Sequence, residues 1–179
     1  MSLLQRVASR LETDGIPFAL IGAAALALRG VSRSTADIDL LTVDTRCLTA
    51  SFWNEITAEG HTLRLLKGDF DDPLAGSVRL SPVRDRMVDV VVGRYKWQAE
   101  VIERAERLST GELTLPVATA ADLVLLKLFA GGPKDSWDIA ALLEALPEDR
   151  STIVSAVEGS LDRLPAECRH LWSRILSRL

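Results

Sequence analysis

The sequence predicts an α/β (α+β) protein, with a mixed sheet of about five strands flanked by helices and then a C-terminal helical layer. Three observations lead there. Short apolar or alternating runs recur between Pro17 and Val92, helical periodicity takes over beyond Tyr95, and a chain of 179 residues, 47% of them hydrophobic, is long enough to bury a core.

Leu3, Leu4, Val7, Ala8 and Leu11 fall at helical spacing, and Asp14, Gly15 and Pro17 stop that helix near Thr13. Pro17 to Ile21 reads as a buried strand, and Gly22 turns the chain into a short helix, Ala23 to Arg29, closed by Gly30. Asp37 to Thr42 alternates before an apolar end and predicts a strand. Thr45 to Ala58 reads as an amphipathic helix ending at Gly60, and His61 to Lys67 as the next strand. Gly68 to Gly76 is acidic and turn-rich and predicts a solvated loop, followed by strands at Ser77 to Leu80 and Met87 to Val92. Helices are expected at Gln98 to Leu108, Ala120 to Ala130, Ser136 to Leu146, Ser151 to Leu161 and Glu167 to Leu179, with one extended piece at Glu112 to Leu115. A soft boundary near Ser109, Thr110 and Gly111 divides a core, residues 1–110, from a helical extension, residues 111–179, expected to pack on it.

A formal charge of −4 excludes a uniformly basic nucleic-acid coat, and 26% charged residues are too few for a disordered chain. The longest apolar stretch, Phe18 to Leu28, is shorter than the ~20 residues of a membrane span, and no secretory leader pattern opens the chain. A cytoplasmic protein is expected. Cys47 and Cys168 lie far apart and outside any zinc spacing with His61 or His170, so they read as ordinary thiols.

The chemistry gathers around three acids. Asp37 and Asp39, two apart on a predicted strand, project from one face while Ile38 points to the other. With 25 acids in the chain, about 3 to 4 such pairs arise by chance, and Glu12 with Asp14 and Asp69 with Asp71 share the spacing. The strand setting separates the first pair, because strands disfavour Asp and a carboxylate there needs a partner, unless the pair is simply a solvent-facing edge of the strand. Asp89, flanked by Val88 and Val90, poses the same problem. A shared divalent metal would answer it if the two strands are neighbours, and so would an ion pair of Asp89 with Arg84, Arg86 or Arg94. Gly22, between a strand and a helix start, would let backbone N–H groups approach a phosphate, or would simply serve the turn. Arg33 and Thr35 could contact phosphate or stabilise the surface turn before the acids.

In combination, Leu20 to Ala24, Arg33 to Leu41 and Val88 to Val90 resemble the nucleotidyltransferase superfamily that shares the DNA polymerase β catalytic fold. Ala121 to Ala130, followed by Lys134 to Ile139, is similar to its small prokaryotic branch of abortive-infection and toxin–antitoxin nucleotidyltransferases. The resemblance implies that Gly22 and Ala23 hold nucleotide phosphates, that Asp37 and Asp39 bind two Mg²⁺ (or Mn²⁺) ions, and that Asp89 completes the metal site. Lys127 would bind phosphate or lay its stem along a helix, whereas Lys134, Asp135 and Asp138 fit helix-start pairing. Two Mg²⁺ ions would bring the formal total from −4 to 0. Where the family commonly has Gly-Gly or Gly-Ser, this chain has Gly22 and Ala23, so Ala23 offers only its N–H.

The implied reaction moves a nucleoside monophosphate from a nucleoside triphosphate to a hydroxyl of RNA or protein, in the setting of a cognate toxin or antitoxin partner and without a membrane. Two other readings stand beside it: a catalytically silent partner-binding module, and a small-molecule adenylyltransferase of the antibiotic-modifying kind. Arg79, Arg84, Arg86, Arg94 and Lys96, interleaved with Tyr95 and Trp97, form a basic cluster compatible with an RNA end, a solvated face or the triphosphate.

Overall fold

Val88, Val90 and Val92 are fully buried while Met87, Asp89 and Val91 are half-buried, the alternation of a strand with one face on an apolar core. This strand, β5 (Met87–Val92), lies inside a seven-stranded mixed sheet with β1 (Ala19–Ile21), β2 (Asp37–Thr42), β3 (Thr62–Lys67), β4 (Gly76–Ser81), β6 (Glu106–Ser109) and β7 (Thr114–Val117). The spatial order is β3-β4-β5-β2-β1-β7-β6. The β2–β5 and β1–β7 pairs are parallel, and the other four are antiparallel. The computed structural model describes residues 1–31, 37–82, 85–111 and 113–179.

By its contacts the chain forms two units. The first comprises Met1–Ala24 and Ser34–Ala118 and contains the whole sheet. Its first helix, α1 (Leu3–Thr13), buries Leu3, Val7, Ala8 and Leu11, and the Ser2 hydroxyl and Gln5 carboxamide cap each other's backbone N–H groups. The Leu3 N–H donates to the Asp85 carboxylate at 2.8 Å, which ties α1 to the lead-in of β5; this bond and one from the Arg86 N–H hold the Asp85 carboxyl below its usual range. Both edges of the sheet carry charges: β3 is mostly exposed and bears Arg64 and Lys67, and β6 carries Glu106 and Arg107. Charges at an edge discourage pairing with other chains.

Two stretches differ from the sequence expectation. The sheet has seven strands rather than about five, because residues 106–109 pair with β7 in a hairpin turned at Thr110 and Gly111. The helix expected over Gln98 to Leu108 is therefore shorter, α4 (Lys96–Glu103), with the hairpin pairing outweighing the helix propensity of its Glu, Arg and Ala residues. Thr45 to Ala58 is two 3₁₀ turns, Thr45–Leu48 and Ala50–Trp53, leading into α3 (Asn54–Ala58). Thr, Ser, Cys and aromatic residues are weak helix formers, and here they are held by side chains instead. The Asp44 carboxylate accepts from the Arg46 N–H, and the Trp53 indole donates to the Cys47 carbonyl at 2.8 Å.

The second unit comprises Ala25–Arg33 and Thr119–Leu179. Helix α2 (Gly22–Leu28) runs across the division in sequence. At the centre of the unit, α5 (Ala120–Ala130) contacts α6 (Pro133–Ala145), α7 (Arg150–Glu158) and α8 (Ala166–Leu176). Leu123, Val124, Leu125 and Leu128 of α5 are all buried, as expected of a helix surrounded by others. Thr119 caps its start, and Gly131, in the left-handed conformation at φ 65°, ends it. No described helix is long and apolar enough to cross a membrane.

Trp53 is fully buried, packs edge-on to Phe52 at 4.8 Å, and carries the indole bond that fixes the first 3₁₀ turn. Trp53→Ala is expected to cost about 3–5 kcal/mol in urea unfolding, and Trp53→Phe less, because the ring volume is mostly kept.

Candidate active site

Strand alternation sends Ile38, Leu40, Val88 and Val90 into the core, and Asp37, Asp39 and Asp89 to the opposite face. Since β2 and β5 are parallel neighbours, Asp39 stands directly opposite Asp89, and Asp37 opposite Met87. All three carboxylates thus rise side by side from adjacent strands.

On the far side of β5, Arg79 of β4 is paired with Asp89, and Arg64 of β3 with Arg79. One rung of the sheet therefore reads Arg64, Arg79, Asp89, Asp39 from the edge inward. Arg79 grips Asp89 with two bonds, Nε to Oδ1 at 2.8 Å and Nη2 to Oδ2 at 2.6 Å. Its Nη2 also lies 3.8 Å from Asp37 Oδ2, so the guanidinium sits between two of the three acids. Hydrogen bonding to Asp89, reinforced by the charge of that carboxylate, raises the Arg79 pKa further above its ordinary value. The ion-pair partner of Asp89 is thus Arg79, not the Arg86 or Arg94 considered from sequence, and Arg84 lies outside the described residues. Arg94 is engaged elsewhere, donating to the carbonyls of Asp69 and Phe70 at 2.7 and 2.8 Å and pinning the loop between β3 and β4. A trough of about 240 Å³ borders the rung, lined by Asp39, Asp89, Arg64, Arg79, Leu66 and Ser77 among others.

Gly22 is fixed by two separate demands. Its φ of 66° lies in the left-handed region, and a Cβ there would come within 2.1 Å of Asp39 Oδ2. The Asp39 carboxylate rests against this bare α-carbon. Ala23 follows on α2 and is buried. Arg33 and Thr35, expected beside phosphate, lie outside the described residues.

Lys127 belongs to the helical unit. Its amine lies 2.7 Å from Asp135 Oδ1 and 2.6 Å from Asp138 Oδ2. Asp135 also accepts the Gly132 N–H at 2.9 Å, which caps the start of α6, while Lys134 is exposed. The three side chains bind one another with little of their surface exposed.

Among the described residues no three His, Cys, Asp or Glu side chains converge as a ready-made metal cage. The donor set nevertheless suits a hard divalent ion, because it is all carboxylate, on one face, on adjacent strands. Among the described residues, the Arg79 guanidinium is a cation lodged among those oxygens. The residues fit a metal ion on condition that Arg79 moves.

Acids paired on adjacent strands beside a glycine turn, in a mixed sheet, fit the class that the matching family model shows, a nucleotidyltransferase. The chain belongs to the nucleotidyltransferase family of unknown function DUF6036, whose model matches residues 1–146. It is accordingly an enzyme that transfers a nucleoside monophosphate from a nucleoside triphosphate to an acceptor. Solved structures similar in fold include two that illustrate the likeness. One is the antibiotic-resistance factor ANT(2'')-Ia in solution, at 14% identity over 90% of each chain with a TM-score of 0.54. The other is the lincosamide antibiotic adenylyltransferase LnuA with lincomycin bound, at 12% identity over 78% of this chain and 93% of that one, with a TM-score of 0.50. No curated protein matches the chain.

The role of Arg79 was missed at the level of sequence, where it counted only as one of a basic cluster. The signal was present: Val78 and Leu80 alternate about Arg79 as Val88 and Val90 alternate about Asp89, so an antiparallel pairing of the two apolar runs sets the charges opposite each other.

Two stability measurements check this geometry. Gly22→Ala is expected to lower stability by at least about 1–2 kcal/mol in urea unfolding, from backbone strain alone, with the contact on Asp39 adding to it. Lys127→Met would remove the amine that Asp135 and Asp138 share and is expected to cost about 3 kcal/mol in the same assay.

Proposed function

We propose that the protein transfers a nucleoside monophosphate from a nucleoside triphosphate, ATP foremost, to a hydroxyl of a small-molecule acceptor, with Asp37, Asp39 and Asp89 holding two divalent ions, Mg²⁺ or Mn²⁺. The observation that carries this reading is the direct opposition of Asp39 and Asp89 with Asp37 alongside, on the polar face of one sheet. When bound, such ions offset phosphate charge and make a hydroxyl more acidic.

The protein's own groups supply the rest. Asp37 and Asp39 would hold both ions and Asp89 the one nearer the acceptor. Gly22 and Ala23 would offer backbone N–H groups to the phosphates at the start of α2, where the helix dipole favours negative charge. The bond formed joins the acceptor oxygen to the α-phosphorus. The bond broken links that phosphorus to the bridging oxygen, and pyrophosphate leaves with the electron pair. Asp89 is the candidate to take the hydroxyl proton, and it can do so once Arg79 frees one of its oxygens.

Two observations support a small acceptor over RNA. Arg94, counted from sequence towards an RNA-binding cluster, is committed to loop carbonyls. The similar folds also include an adenylyltransferase with an antibiotic bound.

The test is transfer of label from α-³²P nucleoside triphosphates, with Mg²⁺, to lincosamides, aminoglycosides and RNA 3′ ends in parallel. Labelling of a small hydroxyl compound is expected, with Asp37→Asn or Asp39→Asn reducing it at least about 100-fold. Labelling of RNA alone would overturn the choice of acceptor. Triphosphate binding with Mg²⁺ that is equal in the native protein and both Asn variants, measured by isothermal titration, would overturn the assignment of the acids.

A further inference from the structure

Arg79 makes the closest approach of any described cation to the acid trio, and nothing in the proposed transfer requires it there. Both Asp89 oxygens are taken up by its fork, at 2.8 and 2.6 Å, while Nη2 reaches towards Asp37 Oδ2. A guanidinium that merely oriented Asp89 from behind would leave the space between β2 and β5 free. This one stands between Asp89 and Asp37, among the oxygens that a shared divalent ion would need.

Resting on the proposed metal-binding role of the three acids, we infer that Arg79 is a displaceable counter-ion that competes with divalent metal for Asp89 and Asp37, so that loading of the site requires the guanidinium to swing out. Several features make the swing feasible. The Arg79 side chain is 45% exposed, whereas that of Asp89 is 16% exposed, so the arginine leaves from the solvent side while the acid stays fixed in the sheet. The trough beside it gives the guanidinium room to move. Arg64, next on the rung, is an exposed cation on the edge strand, and its repulsion favours an Arg79 that leaves Asp89 only when an anion, such as the triphosphate, enters the trough to receive it. The arginine thereby offsets the mutual repulsion of the carboxylates until metal arrives.

The test is direct binding of Mn²⁺ alone, followed by the amplitude of the free-ion EPR signal, to the native protein, Arg79→Met, Arg79→Lys and an Asp37→Asn/Asp39→Asn blank. Far-UV circular dichroism verifies that each variant is folded. Arg79→Met is expected to bind Mn²⁺ at least about tenfold more tightly than the native protein, or about 1.4 kcal/mol. Arg79→Lys, which keeps the charge but loses the two-pronged grip, is expected to fall between them, and it decides the matter if Arg79→Met does not fold. Measurable binding by the native protein with equal or weaker binding by the Arg79 variants would overturn the inference and leave the acids as metal ligands. No binding above the blank in any of the proteins would overturn both.

Discussion

The rung that joins Arg64, Arg79, Asp89 and Asp39 is the constraint on which the rest of the polar face depends. Four charged side chains in line across four strands are tolerated in a sheet only when opposite signs meet, and they meet at Arg79 and Asp89. That pair answers the desolvation of Asp89, which is largely covered, and it stands where the antiparallel β4–β5 ladder borders the parallel β2–β5 ladder. The same strands send Val78, Leu80, Val88 and Val90 into the core, so the apolar layer beneath and the charges above are set by a single register.

Around that line the glycine turn acts as a seat. Asp39 lies against Gly22 so closely that no other residue fits, which couples the path of the chain from β1 into α2 to the position of one carboxylate. In the helical unit Lys127 joins Asp135 and Asp138 in a cluster of its own, tying the central helix to its neighbour and capping the latter through Asp135. The family's matched region, residues 1–146, takes in both arrangements.

Much of this was legible in the sequence because local signals agreed with the fold. β2 and β5 follow from alternation, and α5 from the helical periodicity of Ala120 to Ala130. The pairing of Asp37 with Asp39 on one face required only the period of a strand. What was not legible depends on pairings that composition and periodicity do not encode. Residues 106–109 have the composition of a helix end and became a strand because β7 was there to pair with them. The 3₁₀ turns before α3 depend on an indole reaching a carbonyl six residues back. Arg79 could be placed against Asp89 only once the two apolar runs were aligned, and net charge or clustering in the sequence carries no such information.

Strict alternation on β4 and β5 has an evolutionary side. Slipping either strand by one residue would drive Arg79 or Asp89 into the apolar layer, at a cost that favours the native alignment over its nearest competitor. The charges therefore favour the native strand alignment, whatever chemistry they also perform. A descendant that had given up catalysis would still be under selection to keep them, so an intact arginine and aspartate at these positions report on how the sheet assembles as well as on what it does.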